Sequence, residues 1–282
     1  MTDSISAASG LWRTLALSIA LVALPVTGAL AQRDAPHEGV AVGKTSALSH
    51  LVPAEQVEAA AGQQYHELLQ QAAAKRALAQ SDHPQLQRIR AVAQRLIAQA
   101  PPWNERSAKW NWEVNLIGSN QVNAFCMPGG KIVFFSGILE QLKLTDDEVA
   151  MVMGHEMAHA LREHARERMA KGALTNLGAN VVVQVLGLGQ VGQAMTGIGA
   201  QLMSLKFSRS DESEADLVGM EIAARAGYNP RAAITLWQKM GQASKSSPPQ
   251  WISTHPSGTT RIAELQKNLP RVMPLYERAR PH

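Results

Sequence analysis

The chain has 282 residues, 45% of them hydrophobic and 18% charged, with a net charge of +4 and one cysteine. That is the composition of a globular protein with enough apolar residues for a sizeable core, and it excludes a disordered, collagenous or disulfide-stapled chain. The 27 basic residues are scattered. No Lys/Arg run is dense enough for a nucleic-acid surface, so no nucleic-acid partner is expected.

At the N-terminus Arg13 precedes an uncharged stretch whose apolar core, residues 15–24, is broken by Pro25 and followed by Ala29-Leu30-Ala31. A basic flank, a short apolar core and an Ala-x-Ala site form the pattern of a cleaved signal peptide. The core is also too short for a membrane span, which needs roughly 20 apolar residues. Residues 1–31 are therefore predicted to be a signal peptide, 32–53 a flexible lead-in and 54–282 a single domain.

Residues 54–80 are rich in Ala, Gln, Glu and Leu and read as a helix. A second, amphipathic helix follows Pro84, with Leu86, Ile89, Val92, Leu96 and Ile97 on one face, and Pro101-Pro102 ends it. The period then changes. Residues 110–117, 121–125 and 131–135 read as three short strands separated by turn residues, among them Pro128-Gly129-Gly130. Cys126, inside an apolar run, is predicted to be a small buried hydrophobe. Thr145 and Glu148 form a capping box, and the helix it opens is predicted to run to about Ala170.

Residues 172–205 contain no charge and seven glycines. Asn176, Asn180, Gln184, Gln190 and Gln193 interrupt the apolarity, so buried helices or shallow membrane contact are expected rather than a span. Helix is predicted again over 209–226, after the Gly227–Pro230 turn to about Gly241, and over a short last segment, 258–268.

The chemistry enters at His155-Glu156-Met157-Ala158-His159. Side chains four apart on a helix share a face, so both imidazoles can bind one zinc ion, with Glu156 beside them as general base. The capping box places the motif inside a helix, the context it requires. A third protein ligand is needed. A histidine six residues after the second motif histidine would serve, but that position is Ala165. His164 is one residue out of register, about 100° round a continuous helix, and is predicted to be exposed and dispensable. A downstream carboxylate is the other solution. Asp211, Glu212 and Glu214 are candidates that spacing alone does not separate.

His-Glu-x-x-His followed by Ser208-Arg209-x-x-Glu212-x-x-Ala215-Asp216 resembles the HtpX, Oma and CAAX-prenyl-protease family of zinc metallopeptidases. Two further elements extend the likeness over roughly residues 60–270. One is Asn123-Ala124-Phe125-Cys126-Met127-Pro128-Gly129-Gly130-Lys131-Ile132; the other is Thr254-His255-Pro256 with Arg261. The soluble periplasmic members, BepA-like and LoiP-like, are the most similar, although the long carboxy-terminal repeat domain of the BepA-like proteins has no counterpart in this sequence.

The resemblance implies an α+β fold: a mainly helical zincin-type domain with a small three-stranded sheet beside the active-site helix. It implies one Zn²⁺ held by His155, His159 and Glu212, with Asp216 orienting a ligand imidazole and Glu214 a bystander. It also implies Asn123, Ala124 and Phe125 on an edge strand that binds substrate, and His255 as an oxyanion donor. The activity implied is periplasmic endopeptidase cleavage of unfolded or misfolded cell-envelope proteins. The alternative is a latent zinc-binding, chaperone-like or assembly protein whose cleft is plugged. An enzyme cleaves unfolded proteins and loses that activity on Glu156→Gln; a plugged binding protein does not.

Overall fold

The computed structural model describes residues 38–177, 206–243, 250–255 and 259–280. The predicted signal peptide and residues 178–205 of the uncharged segment lie outside this set. Among the described residues no helix is long and apolar enough to cross a membrane.

The described elements, in chain order, are α1 (Ala54–Ala74), α2 (Pro84–Ile97), β1 (Glu113–Ile117), β2 (Ala124–Met127), β3 (Lys131–Phe135), α3 (Ser136–Gln141), α4 (Asp146–Leu161), α5 (His164–Leu177), α6 (Arg209–Arg225), α7 (Ala232–Ala243), α8 (Gln250–Thr254) and α9 (Thr259–Ala279). This is the expected α+β architecture: helices around a three-stranded sheet of order β1-β3-β2. β1 runs parallel and β2 antiparallel to β3, which leaves β2 at an edge. Of the lead-in, residues 38–53 carry a 3₁₀ turn at Ala47–Leu51. They pack through buried Ser49 and Val52, and through a 2.6 Å hydrogen bond from the Val40 amide to Glu221.

Several boundaries differ from the sequence reading, and four of them have a clear structural reason. α1 stops at Ala74 rather than near residue 80, because Ala77 and Ala79 hydrogen-bond to the β1 edge and Leu78 bridges Ile117. β2 lies three residues later than predicted at its start. The Pro128-Gly129 turn, with Gly129 at φ +82°, sets the pairing of Met127 with Lys131, and the strand runs back from there. The motif helix ends at Leu161 and α5 begins at His164, because Glu163 takes a left-handed conformation at φ +58°. α9 continues to Ala279 through Pro270 and Pro274. Proline normally stops a helix, but Val272 and Leu275 are buried in the core, and that packing carries the helix past both.

α4 is the centre of the molecule. Its capping box is present as predicted, with Thr145 Oγ1 accepting from the Glu148 amide and Glu148 accepting from the Thr145 amide. Every residue from Glu148 to Leu161 is buried, as expected of a helix surrounded on all sides. Its main partner is α6, and the two helices touch backbone to backbone at Gly154 and Gly219. A Cβ added to Gly219 would lie 2.5 Å from the His155 nitrogen. This approach brings the acidic first half of α6 against the histidines of α4.

Candidate metal centre

His155, Glu156 and His159 are each 3% exposed. His155 Nε2 and His159 Nε2 face each other at 3.1 Å, as their spacing on one helical face requires. Glu212, from the first turn of α6, reaches them at 3.5 Å and 3.6 Å. His255, just after α8, completes the group, its Nδ1 3.2 Å from His155 Nε2 and 3.0 Å from Glu212 Oε1. One donor atom from each of these four residues lies within 4.8 Å of all the others.

This set fits a divalent metal. Imidazole nitrogens and a carboxylate oxygen are suitable donors. Donors ~2.0–2.1 Å from a common tetrahedral centre stand roughly 3.3 Å apart, and the contacts above span that value. Glu212 Oε2 is fully buried and makes no hydrogen bond, although Arg261 Nη1 lies 2.8 Å away as an ion pair. A metal ion bound by the two histidines would add a second cationic partner to that carboxylate.

The electrostatics point the same way. Burial alone lowers the pKa of His155, but the hydrogen bonds and charges of Asp216 and Glu212 outweigh it and push the group up to about 9. Positive charge is favoured at that position. Burial, with the neighbouring His155, His164, His255 and Arg261, holds the pKa of His159 well below its ordinary value, which favours the neutral imidazole that binds metals. Glu212 is lowered despite burial, because His155 and His255 stabilise its charge.

Around this cluster lies a second layer. Asp216 Oδ1 meets His155 Nδ1 at 3.0 Å. Arg261 in turn grips Asp216 through two hydrogen bonds of 2.6 and 2.8 Å and stacks over Trp237 at 3.8 Å. Asp216 stays ionised because Arg261 and His155 offset its burial. Glu156 Oε1 accepts a 2.6 Å hydrogen bond from Trp251 Nε1 and lies 3.5 Å from His255 Nε2.

A cavity of about 340 Å³ opens beside the cluster. Glu156, His159 and His255 line it, together with Asn123, Ala124 and Phe125 at the start of the edge strand, and Leu68 and Phe207. Cys126 is buried, as predicted, and burial pushes its thiol pKa up.

The structure thus brings His155, His159, Glu212 and His255 together with Glu156 and Asp216 beside them, leaves Asp211 as the cap partner of Ser208, and corrects two readings. His164 is not exposed: it is 2% accessible and hydrogen-bonds His159. Glu214 is not a bystander, since it binds both Arg162 and His164. Only in an unbroken helix does His164 fall out of register, and the break at Glu163 resets the phase. Trp251 and Phe207 were missed. Neither carries a local signal, because their positions depend on segments folding back onto α4.

Residues 83–269 match the model of peptidase family M48, 187 of the 282 residues. The chain belongs to that family. Among its relatives, the mitochondrial metalloendopeptidase OMA1 of Arabidopsis thaliana is 40% identical over 54% of this chain and 30% of its own length. OMA1 of Schizosaccharomyces pombe is 34% identical over 67% of this chain and 55% of its own. The β-barrel assembly-enhancing protease of Escherichia coli is 30% identical over 67% of this chain and 40% of its own. The M48 match covers all of the cluster described above, while the chain spans between about a third and just over half of these relatives.

Proposed function

We propose that this chain is a zinc-dependent metalloendopeptidase acting on unfolded or misfolded polypeptides of the cell envelope. The observation that carries the proposal is the convergence of His155, His159, Glu212 and His255 within 4.8 Å, with Glu156 beside them in an open cleft. His155, His159 and Glu212 would hold the metal. When bound, zinc supplies a Lewis acid for the scissile carbonyl and lowers the pKa of water toward ~7.

The side chains do the rest. Glu156 takes the proton of the attacking water and returns it to the leaving amine. Trp251 fixes one oxygen of that carboxylate, leaving the other for the proton. His255 stands where it can donate to the developing oxyanion. Asp216, held by Arg261, orients His155. An extended peptide would add to the free edge of β2 alongside Asn123, Ala124 and Phe125, its apolar side chains entering between Leu68 and Phe207. Such a site favours chains that are not already folded. The basic flank, apolar core and Ala29-Leu30-Ala31 of the N-terminus support export to the periplasm. The uncharged segment 172–205 is the surface proposed to touch the membrane.

Casein hydrolysis by the purified chain should vanish on treatment with a strong chelator and return on adding about one equivalent of Zn²⁺. Undiminished hydrolysis by metal-depleted protein would refute the proposal.

A further inference from the structure

The two motif histidines are supported differently. His155 meets a carboxylate directly, Asp216 Oδ1 at 3.0 Å. His159 meets another imidazole instead: its Nδ1 lies 2.9 Å from Nδ1 of His164. His164 Nε2 is then 3.3 Å from Glu214 Oε2, and Arg162 Nε anchors the other Glu214 oxygen at 2.7 Å. The arrangement exists because Glu163, at φ +58°, breaks the helix and swings His164 beneath His159. On its other side the His159 ring is stacked on Phe207, centroids 4.0 Å apart.

Resting on the metal site proposed above, we infer that His164 is a positioning residue which fixes the tautomer and ring orientation of His159 through a Glu214–His164–His159 hydrogen-bond chain. The hydrogen-bond chemistry dictates the direction. An ionised carboxylate only accepts, so a neutral His164 must carry its proton on Nε2 and leave Nδ1 bare. A bare Nδ1 accepts, so His159 must donate from its own Nδ1. The His159 proton is thereby held away from Nε2, whose lone pair is left facing the cluster. With the opposite tautomer of His164, His159 Nε2 would carry the proton and could not ligate. Outer partners of this kind affect metal affinity by roughly 10–100-fold. The intervening imidazole links Glu214 to His159.

The test is zinc affinity by chelator competition, with the visible spectrum of the Co²⁺-substituted protein as a second readout. His164→Phe keeps an aromatic ring and removes the acceptor; it should weaken zinc binding roughly 10–100-fold and alter the cobalt bands. His164→Asn, which returns an acceptor near the position of Nδ1, should recover most of the affinity. Wild-type affinity and an unchanged cobalt spectrum in His164→Phe would show that the residue only fills space, overturning the inference while leaving the metal site intact. If His164→Phe does not fold, ¹⁵N NMR of zinc-loaded wild type reads the tautomers directly. His159 protonated at Nδ1 and His164 at Nε2 is the expected pattern, and the reverse refutes it. A wild type that takes up no zinc would overturn both this inference and the site beneath it.

Discussion

Replacing Glu156 with Gln should lower peptide hydrolysis by roughly 10²–10⁴-fold, the range that general acid–base catalysis contributes, with zinc content unchanged. The amide keeps the shape of the side chain and can still accept the 2.6 Å hydrogen bond from Trp251. What it loses is the ability to take a proton from water and deliver it to an amine. Glu156 is not among the four clustered metal donors, so metal binding and turnover should separate in this variant. Steady-state cleavage of casein beside elemental analysis of the same sample measures both. Turnover near wild type would mean that another group serves as the base.

Gly219→Ala should be destabilising by about 1–3 kcal/mol, the usual cost of overpacking a core. Helix propensity alone argues the opposite: Ala in place of an interior helical Gly should gain up to ~1 kcal/mol. The packing decides between them. The new Cβ would lie 2.5 Å from the His155 nitrogen and 2.6 Å from the Gly154 carbonyl carbon. These are backbone atoms of a helix buried along most of its length, so no side chain can swing aside. α4 and α6 must separate, and α6 carries Glu212 and Asp216. Metal affinity should therefore fall together with stability. Chemical denaturation of the metal-free protein isolates the packing cost, and zinc competition reports the movement of Glu212. A stability equal to or above that of wild type would show that the helices are not held in contact at this point.

How far the site was legible in the sequence follows from the range of the interactions that build it. His155, Glu156, His159 and the Thr145–Glu148 cap lie within one helix, where spacing alone fixes which side chains share a face. Glu212 was separable from Asp211 and Glu214 only by resemblance, because the choice depends on how α6 crosses α4. That crossing rests on Gly154 and Gly219. In a sequence these glycines look like mild faults in two helices, and only their mutual contact shows their use.

The misreading of His164 has a sharper cause. A face argument across residues 159–164 needs a continuous helix, and one left-handed residue, Glu163, undoes it. The same limit applies to the fold. The change from helical to strand period was visible at about the right place, as was the α+β class. The end of α1 and the passage of α9 through two prolines were not, because each is decided by pairing or burial against distant residues; the shift of β2 follows from the geometry of its turn into β3.

On the proposed function, His155, His159 and Glu212 together hold a zinc ion needed for peptide cleavage. The most direct measurement is bound zinc and casein hydrolysis on the same preparations of the full chain and its Glu212→Gln variant. The expected result is about one zinc per chain with hydrolysis in wild type, and the loss of both in the variant. Hydrolysis by a wild type that holds no zinc, or a variant that keeps its zinc and cleaves as wild type does, would contradict it.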